Sequence, residues 1–81
     1  MDKIRIEGEE VVLSINPKVY DLEVVYSASY VFLDRAYIVL DGNPETEIIV
    51  RMKSKNDENL ENLGWEFFNE LINYEDYKKR S

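Results

Sequence analysis

The alternation of apolar and polar residues near the start of the chain constrains its fold more than any other feature. Ile4 and Ile6 alternate with Lys3, Arg5 and Glu7, Gly8-Glu9 interrupts, and Val11, Leu13 and Ile15 resume the pattern. A period of two marks a strand with one buried face. A two-residue turn at Gly8-Glu9 sets Ile6 opposite Val11 and Ile4 opposite Leu13, which gathers the alternating apolar residues on one face. Glycine in the first turn position suits a type II′ turn. Glu7 facing Glu10 beside the turn opposes this pairing, and one long strand with a bulge at Gly8 is the alternative.

Asn16-Pro17 ends this strand region. Asp21 is a good helix N-cap, and Leu22, Val25, Tyr26, Ser29, Phe32 and Leu33 then recur at helical spacing. Val24, Val25, Tyr26 and Tyr30 lower the helix propensity of this stretch, but the spacing and the lack of turn residues predict a helix. It is expected to be buried over most of its circumference and to end at Arg35. Ala36 to Leu40 reads as a buried strand, and Asp41-Gly42-Asn43-Pro44-Glu45 is a strong turn signal. Thr46 to Lys53 follows as a strand with Ile48, Val50 and Met52 inward and Ile49, Arg51 and Lys53 outward, paired with its predecessor as a hairpin.

Asn56-Asp57 is a second capping signal. Beyond it Leu60, Leu63, Phe67, Leu71 and Tyr74 form a helical stripe, widened by Phe68 and Ile72. Lys78, Lys79 and Arg80 suit the negative end of that helix's dipole. The expected order is β-β-α-β-β-α: a single α+β domain over residues 1–81, in which two helices lie on one face of a mainly antiparallel sheet of three to four strands.

Composition narrows what such a domain does. The chain contains no histidine and no cysteine. A disulfide, a thiolate nucleophile and the usual zinc ligand sets are therefore excluded, and Ser14, Ser27, Ser29, Ser54 and Ser81 have no imidazole to activate them. Paired carboxylates alone do not suggest the cleft that sugar hydrolysis needs. Asp57-Glu58-Asn59 lacks the spacing and glycine of a calcium loop, and Asp41-Gly42-Asn43 is a turn. No catalytic, cofactor-binding or metal-binding residue is assigned. A net charge of −7 repels phosphate backbones and argues against nucleic acid. The apolar stretch from Val24 to Leu33 is far too short to span a bilayer. Met1-Asp2-Lys3 leads into the first strand without a leader pattern, so a cytoplasmic location is expected.

Several segments in order resemble the His-Xaa-Ser system protein D family. They are Val19-Tyr20-Asp21-Leu22, Tyr30-Val31-Phe32-Leu33-Asp34-Arg35-Ala36-Tyr37, Asp41-Gly42, Ile49-Val50-Arg51 and Glu70-Leu71-Ile72-Asn73-Tyr74. The resemblance extends over about residues 11 to 77, and its specificity lies in the order and spacing of the pieces. Tyr74-Glu75-Asp76-Tyr77 departs from the Asp-Tyr-x-Leu closing expected of that family. Members are encoded beside two radical-SAM maturases and a substrate protein with His-Xaa-Ser repeats. The resemblance thus implies a non-catalytic accessory role in peptide modification, with a maturase or precursor peptide as partner. It implies no catalytic residue.

The residues themselves offer three sets of candidate partner contacts. Asp34 and Arg35 sit where a helix hands over to a strand. The arginine fork suits a carboxylate or a peptide backbone, and a local ion pair or cap is the plainer reading. Arg51, Lys53 and Lys55 alternate along one strand with Ile49 on the same face. An acidic peptide fits such a stripe, although lysines also protect edge strands from aggregation. Trp65, Phe67, Phe68, Tyr74 and Tyr77 crowd the last helix beyond what one stripe buries. Phe67 and Trp65 are assigned to the core, and Phe68, Tyr74 and Tyr77 are read either as core filling or as a binding rim. The expected mechanism is β-augmentation, in which an extended precursor segment joins an open sheet edge, either at the N-terminal strands or at Thr46–Lys53. The rival expectations are a self-associating structural protein, such as a homodimer, and an acidic antitoxin-like inhibitor of a basic partner.

Overall fold

A computed structural model describes residues 3–80. The elements run β1 (Lys3–Glu7), β2 (Glu10–Ile15), α1 (Leu22–Val31), β3 (Ala36–Asn43), β4 (Glu47–Ser54) and α2 (Leu60–Arg80). The four strands form one antiparallel sheet in the order β1-β2-β4-β3. This is the expected α+β fold. Its central pair is formed by strands distant in sequence, so β2 and β4 meet only after α1 and β3 have been laid down.

The first hairpin has the expected register, with Ile6 opposite Val11 and Ile4 opposite Leu13. Gly8 takes φ +60 while Glu9 is not in the positive-φ region, the pattern of a II′ turn. The Glu7–Glu10 pair is tolerated because cations surround it. Arg5 bonds Glu7, Arg51 Nη1 lies 3.4 Å from Glu7, and Lys53 Nζ lies 3.0 Å from Glu9.

The core lies between the inner sheet face and both helices. Val11, Leu13, Ile15, Ile48, Val50 and Met52 meet Val25, Ala28 and Phe32 of the α1 region and Leu63, Phe67 and Leu71 of α2. The Phe32 and Phe67 rings, with centroids 5.5 Å apart, join the two helical segments over the sheet. Val12 points to the opposite, open face yet is only 3% exposed. Its cross-strand neighbours Arg5 and Arg51 flank it, so that their aliphatic stems shield it and their guanidinium groups stay wet.

Several boundaries differ from expectation. Helix α1 stops at Val31, and a tight turn over residues 32–35 replaces its last turn. There the N–H groups of Arg35 and Ala36 both donate to Phe32 O, and Lys55 Nζ donates to Leu33 O at 2.7 Å. Lys55 thus satisfies a carbonyl left over at the helix end. α1 is also less buried than its spacing suggests, for Tyr26 and Leu33 lie exposed on its outer side. Strand β3 runs on through Asp41 and Gly42, so the hairpin turn is confined to residues 44–46. The N-cap of α2 is Asn59, whose Oδ1 accepts from Asn62 N–H at 3.0 Å, whereas Asn56-Asp57 forms a bend with Asp57 at φ 53. Ile72 is exposed instead of widening the buried stripe.

Two ion-pair systems tie the helices down. Arg35 grips Glu58 through both Nε and Nη2 and also bonds Glu66. Lys78, near the end of α2, bonds Asp21, the N-cap of α1, which also accepts from Val24 N–H at 3.1 Å. Lys78 and the Val24 amide hold the Asp21 carboxyl below its ordinary value, Arg35 does the same for Glu58, and Asp21 pushes Lys78 up. The Glu9 carboxylate likewise raises Lys53.

The sign of the pH dependence follows from these shifts. Asp21 and Glu58 contribute stability above their ordinary carboxylate values, and that stability is lost as pH falls through their lowered folded values. Lys53 and Lys78 contribute below their ordinary ammonium value, and theirs is lost as pH rises through the raised folded values. With no histidine or cysteine, no side chain has its ordinary pKa between about 5 and 8. Thermal midpoints followed by circular dichroism are therefore expected to be flat across neutral pH and to fall at both extremes. A step near neutrality would contradict this account.

Candidate functional site

The sheet has two open edges, β1 and β3, because β4 is paired on both sides. The expectation that Thr46–Lys53 offers an edge is therefore corrected. β4 is the strand that β2 and β3 both need, and its outward cations stand in the middle of the open face. Edge protection accordingly does not account for Arg51 and Lys53, which answer Glu7 and Glu9 of the first hairpin.

The two edges differ in chemistry. β1 is short, and Lys3, Arg5 and Glu7 put a charge at every second position. Such a strand is poorly suited to receive another. β3 is longer, and its Ala36-Tyr37-Ile38-Val39-Leu40 run contains no charge and no proline. Tyr37 (63% exposed) and Val39 (56%) stand on its outer face, and Ile38 and Leu40 are half-buried on the inner one. The expected buried strand is thus an exposed edge.

The direction of the free backbone groups on β3 follows from ladder alternation. Lys55 N–H donates to Arg35 O at 2.8 Å, extending the β3–β4 ladder by one rung. Odd-numbered positions of β3 therefore face β4, and even-numbered ones face outward. Two of the outward amides are already engaged: Ala36 N–H with Phe32 O at 2.9 Å, and Gly42 N–H with Asp41 Oδ1 at 2.7 Å. Ile38 and Leu40 remain, each presenting an N–H and a C=O with no strand beside them. Unpaired groups of this kind are a template for an incoming strand.

The surroundings of this edge are aromatic and apolar. Lys55 Nζ sits over the Tyr37 ring, 4.8 Å from its centroid, while holding Leu33 O. Tyr37 and the exposed Leu33 are thereby brought to one corner of the molecule. Tyr30, 79% exposed, precedes Leu33 by about one helical turn.

The residues anticipated as partner contacts are dispersed. Asp34 is exposed in the turn before β3. Arg35 lies beside Asp34 in sequence, but its fork is filled by Glu58 and Glu66, and Phe32 lies under it with 5.1 Å from Cζ to the ring centroid. These carboxylates raise the Arg35 pKa and hold it fully charged. Ile49 is half-buried on the open face between Ser14 and Asp41. Phe68, 7% exposed, belongs to the core cluster, and Tyr74 is partly buried against it. Trp65, assigned to the core from its spacing, is instead 55% exposed and lies tilted against Phe68, 6.1 Å between centroids. Tyr77 is exposed and shares with Tyr74, Glu23 and Ser27 a shallow groove between α1 and the end of α2. Tyr37 and Val39 were not singled out by the sequence reading. The signal for them was present: an apolar run at both parities of a strand suits a two-sided interior or an edge awaiting cover.

A charge-guarded edge opposite an uncharged one, on a small sheet roofed by two helices, defines a small α+β module. The chain belongs to the HxsD family: the family model described as His-Xaa-Ser system protein HxsD matches residues 15–76. The matched segment runs from the end of β2 almost to the end of α2 and includes the whole of β3. Membership gives the chain an accessory place in the His-Xaa-Ser system, with proteins as its partners. No curated protein and no solved structure matches the chain significantly. Among the described residues, no helix is long and apolar enough to cross a membrane.

Proposed function

We propose that this chain is a non-catalytic accessory subunit of a radical-SAM peptide modification system of the His-Xaa-Ser type. In this role it recognises an extended segment of the precursor peptide and presents it to the maturase. The observation that carries this reading is the β3 edge, where Ile38 and Leu40 keep outward backbone groups on either side of the exposed Val39, next to the exposed Tyr37. Main-chain bonds to those two residues supply affinity without regard to sequence. The exposed side chains of Tyr37 and Leu33 beside this edge supply preference for an apolar or aromatic side chain.

The inhibitor alternative has less local support. Glu7, Glu9, Glu58 and Glu66 are engaged by the chain's own cations.

Titrating labelled precursor peptide and maturase separately tests the proposal, with amide hydrogen exchange as the local readout. The expected result is saturable binding of the peptide and, at dilutions where the chain is monomeric, slowed exchange at Ile38 and Leu40, with Ile4 and Ile6 of the other edge unchanged. Binding of neither partner, or protection confined to β1, would sink it.

A further inference from the structure

We infer that β3 also pairs with β3 of a second copy of this chain, antiparallel about a two-fold axis at Val39. The inference concerns the same edge as the peptide reading, so peptide and second copy compete for it.

The free backbone groups select this register. An antiparallel strand pair exchanges both N–H···O=C bonds between directly opposed outward residues. Only Ile38 and Leu40 offer both groups, since the Ala36 and Gly42 amides are engaged within the chain. With the axis at Val39, Ile38 faces Leu40 of the second copy and Leu40 faces its Ile38, so the N–H and C=O of both residues are paired on each strand. Moving the axis to Ile38 sets Leu40 against Ala36, and moving it to Leu40 sets Ile38 against Gly42. Either shift leaves the C=O of Leu40 or Ile38 opposite an amide already in use, whereas the Val39 axis leaves only the outlying carbonyls of Ala36 and Gly42 unpaired.

Side chains favour the same register. Val39, 56% exposed, meets its own copy on the open face, and Ile38 meets Leu40 on the inner face, so the half-exposed apolar groups of the edge cover one another. Tyr37 comes opposite Asp41 of the second copy. The cation over Tyr37, Lys55 Nζ at 4.8 Å from the ring, then stands at the end of the strand that receives the carboxylate. Lys55 thus stands beside one end of the edge and Asp41 at the other, an arrangement that is self-complementary when antiparallel and repulsive when parallel. Two-fold pairing of one surface with itself is the commonest way a chain associates.

The absence of native cysteine makes the register directly testable. Opposed residues of a non-hydrogen-bonded antiparallel pair lie about 4.5 Å apart at Cα, within disulfide range. Val39→Cys, treated with oxidised glutathione, is expected to give a cross-linked species of twice the 9.6 kDa chain mass. Asp41→Cys alone should not cross-link, but a mixture of Asp41→Cys with Tyr37→Cys should. All three side chains are exposed, so folding is retained, and circular dichroism checks it. Sedimentation of the unmodified chain should show a dimer that precursor peptide dissociates. A monomer at every concentration, or cross-linking of Asp41→Cys as readily as Val39→Cys, would overturn the pairing. A monomer that still binds peptide would leave the peptide reading intact, and a dimer that binds none would leave this one.

Discussion

Replacing Phe67 by alanine is expected to unfold much of the population near room temperature. The ring is fully buried, it lies against Phe32 at 5.5 Å, and it belongs to the only described cluster that joins both helices to the sheet. Truncating a buried phenylalanine removes its transfer free energy and leaves a cavity, about 3–5 kcal/mol together. A domain of this length without disulfide or metal holds roughly 3–5 kcal/mol in its core, so the loss is comparable with the whole reserve. Urea unfolding followed by circular dichroism should show the midpoint collapsing towards zero denaturant, with Phe67→Leu recovering much of it. An unchanged midpoint would mean that Phe67 is not the joint between the layers.

Gly42→Ala is expected to be nearly as damaging, for a backbone reason. Gly42 has φ +87, and a Cβ there would lie 2.2 Å from the carbonyl oxygen of Glu47, within the hairpin itself. A left-handed conformation costs a side-chain-bearing residue about 1–3 kcal/mol, and overpacking adds about 1–3 more. The clash is with backbone, so relief requires β3 and β4 to separate at their turn end. Gly8 provides the internal comparison: its φ is +60, but nothing lies within 4 Å of where a Cβ would stand. Gly8→Ala should therefore lose only the conformational part. If the two variants unfold at the same denaturant concentration, contact with Glu47 is not what constrains Gly42. A lower midpoint for Gly42→Ala should also bring faster exchange of the β3 amides facing β4.

The parts of the fold legible in sequence are those that depend on period and turn chemistry. Ile4, Ile6, Val11, Leu13 and Ile15 prescribed a register for the first hairpin that the sheet reproduces. Asp21, Leu63, Phe67 and Leu71 likewise occupy the cap and the core as their positions demand. Period is silent, however, about the lateral order of strands. Ile48, Val50 and Met52 announce which face of β4 is inward without saying that β4 is central, and that omission hid the β3 edge. Hydropathy misled at Ala36–Leu40, because an uncharged edge strand has the composition of one buried within the sheet. The long-range ion pairs were equally invisible. Arg35 reaches Glu58 and Glu66 on an element that starts only after two further strands, and nothing near Asp34 in the chain points to it. Lys55 reads as one of three alternating cations, yet it closes the end of α1.

The charges of β1 have a consequence for how large an assembly can become. A molecule with two receptive edges has no reason to stop adding copies and grows into a ribbon, whereas one with a single receptive edge is saturated when that edge is filled. Lys3, Arg5 and Glu7 alternate along the far side of the sheet, and a further strand there would have to accommodate them. The open face is no better suited to stacking, since Arg5 and Arg51 stand over Val12 and would have to shed water. If β3 pairs as inferred above, growth stops after one event per chain, and an apolar strand that would be a fibre hazard in a symmetric sheet serves as a single-use contact.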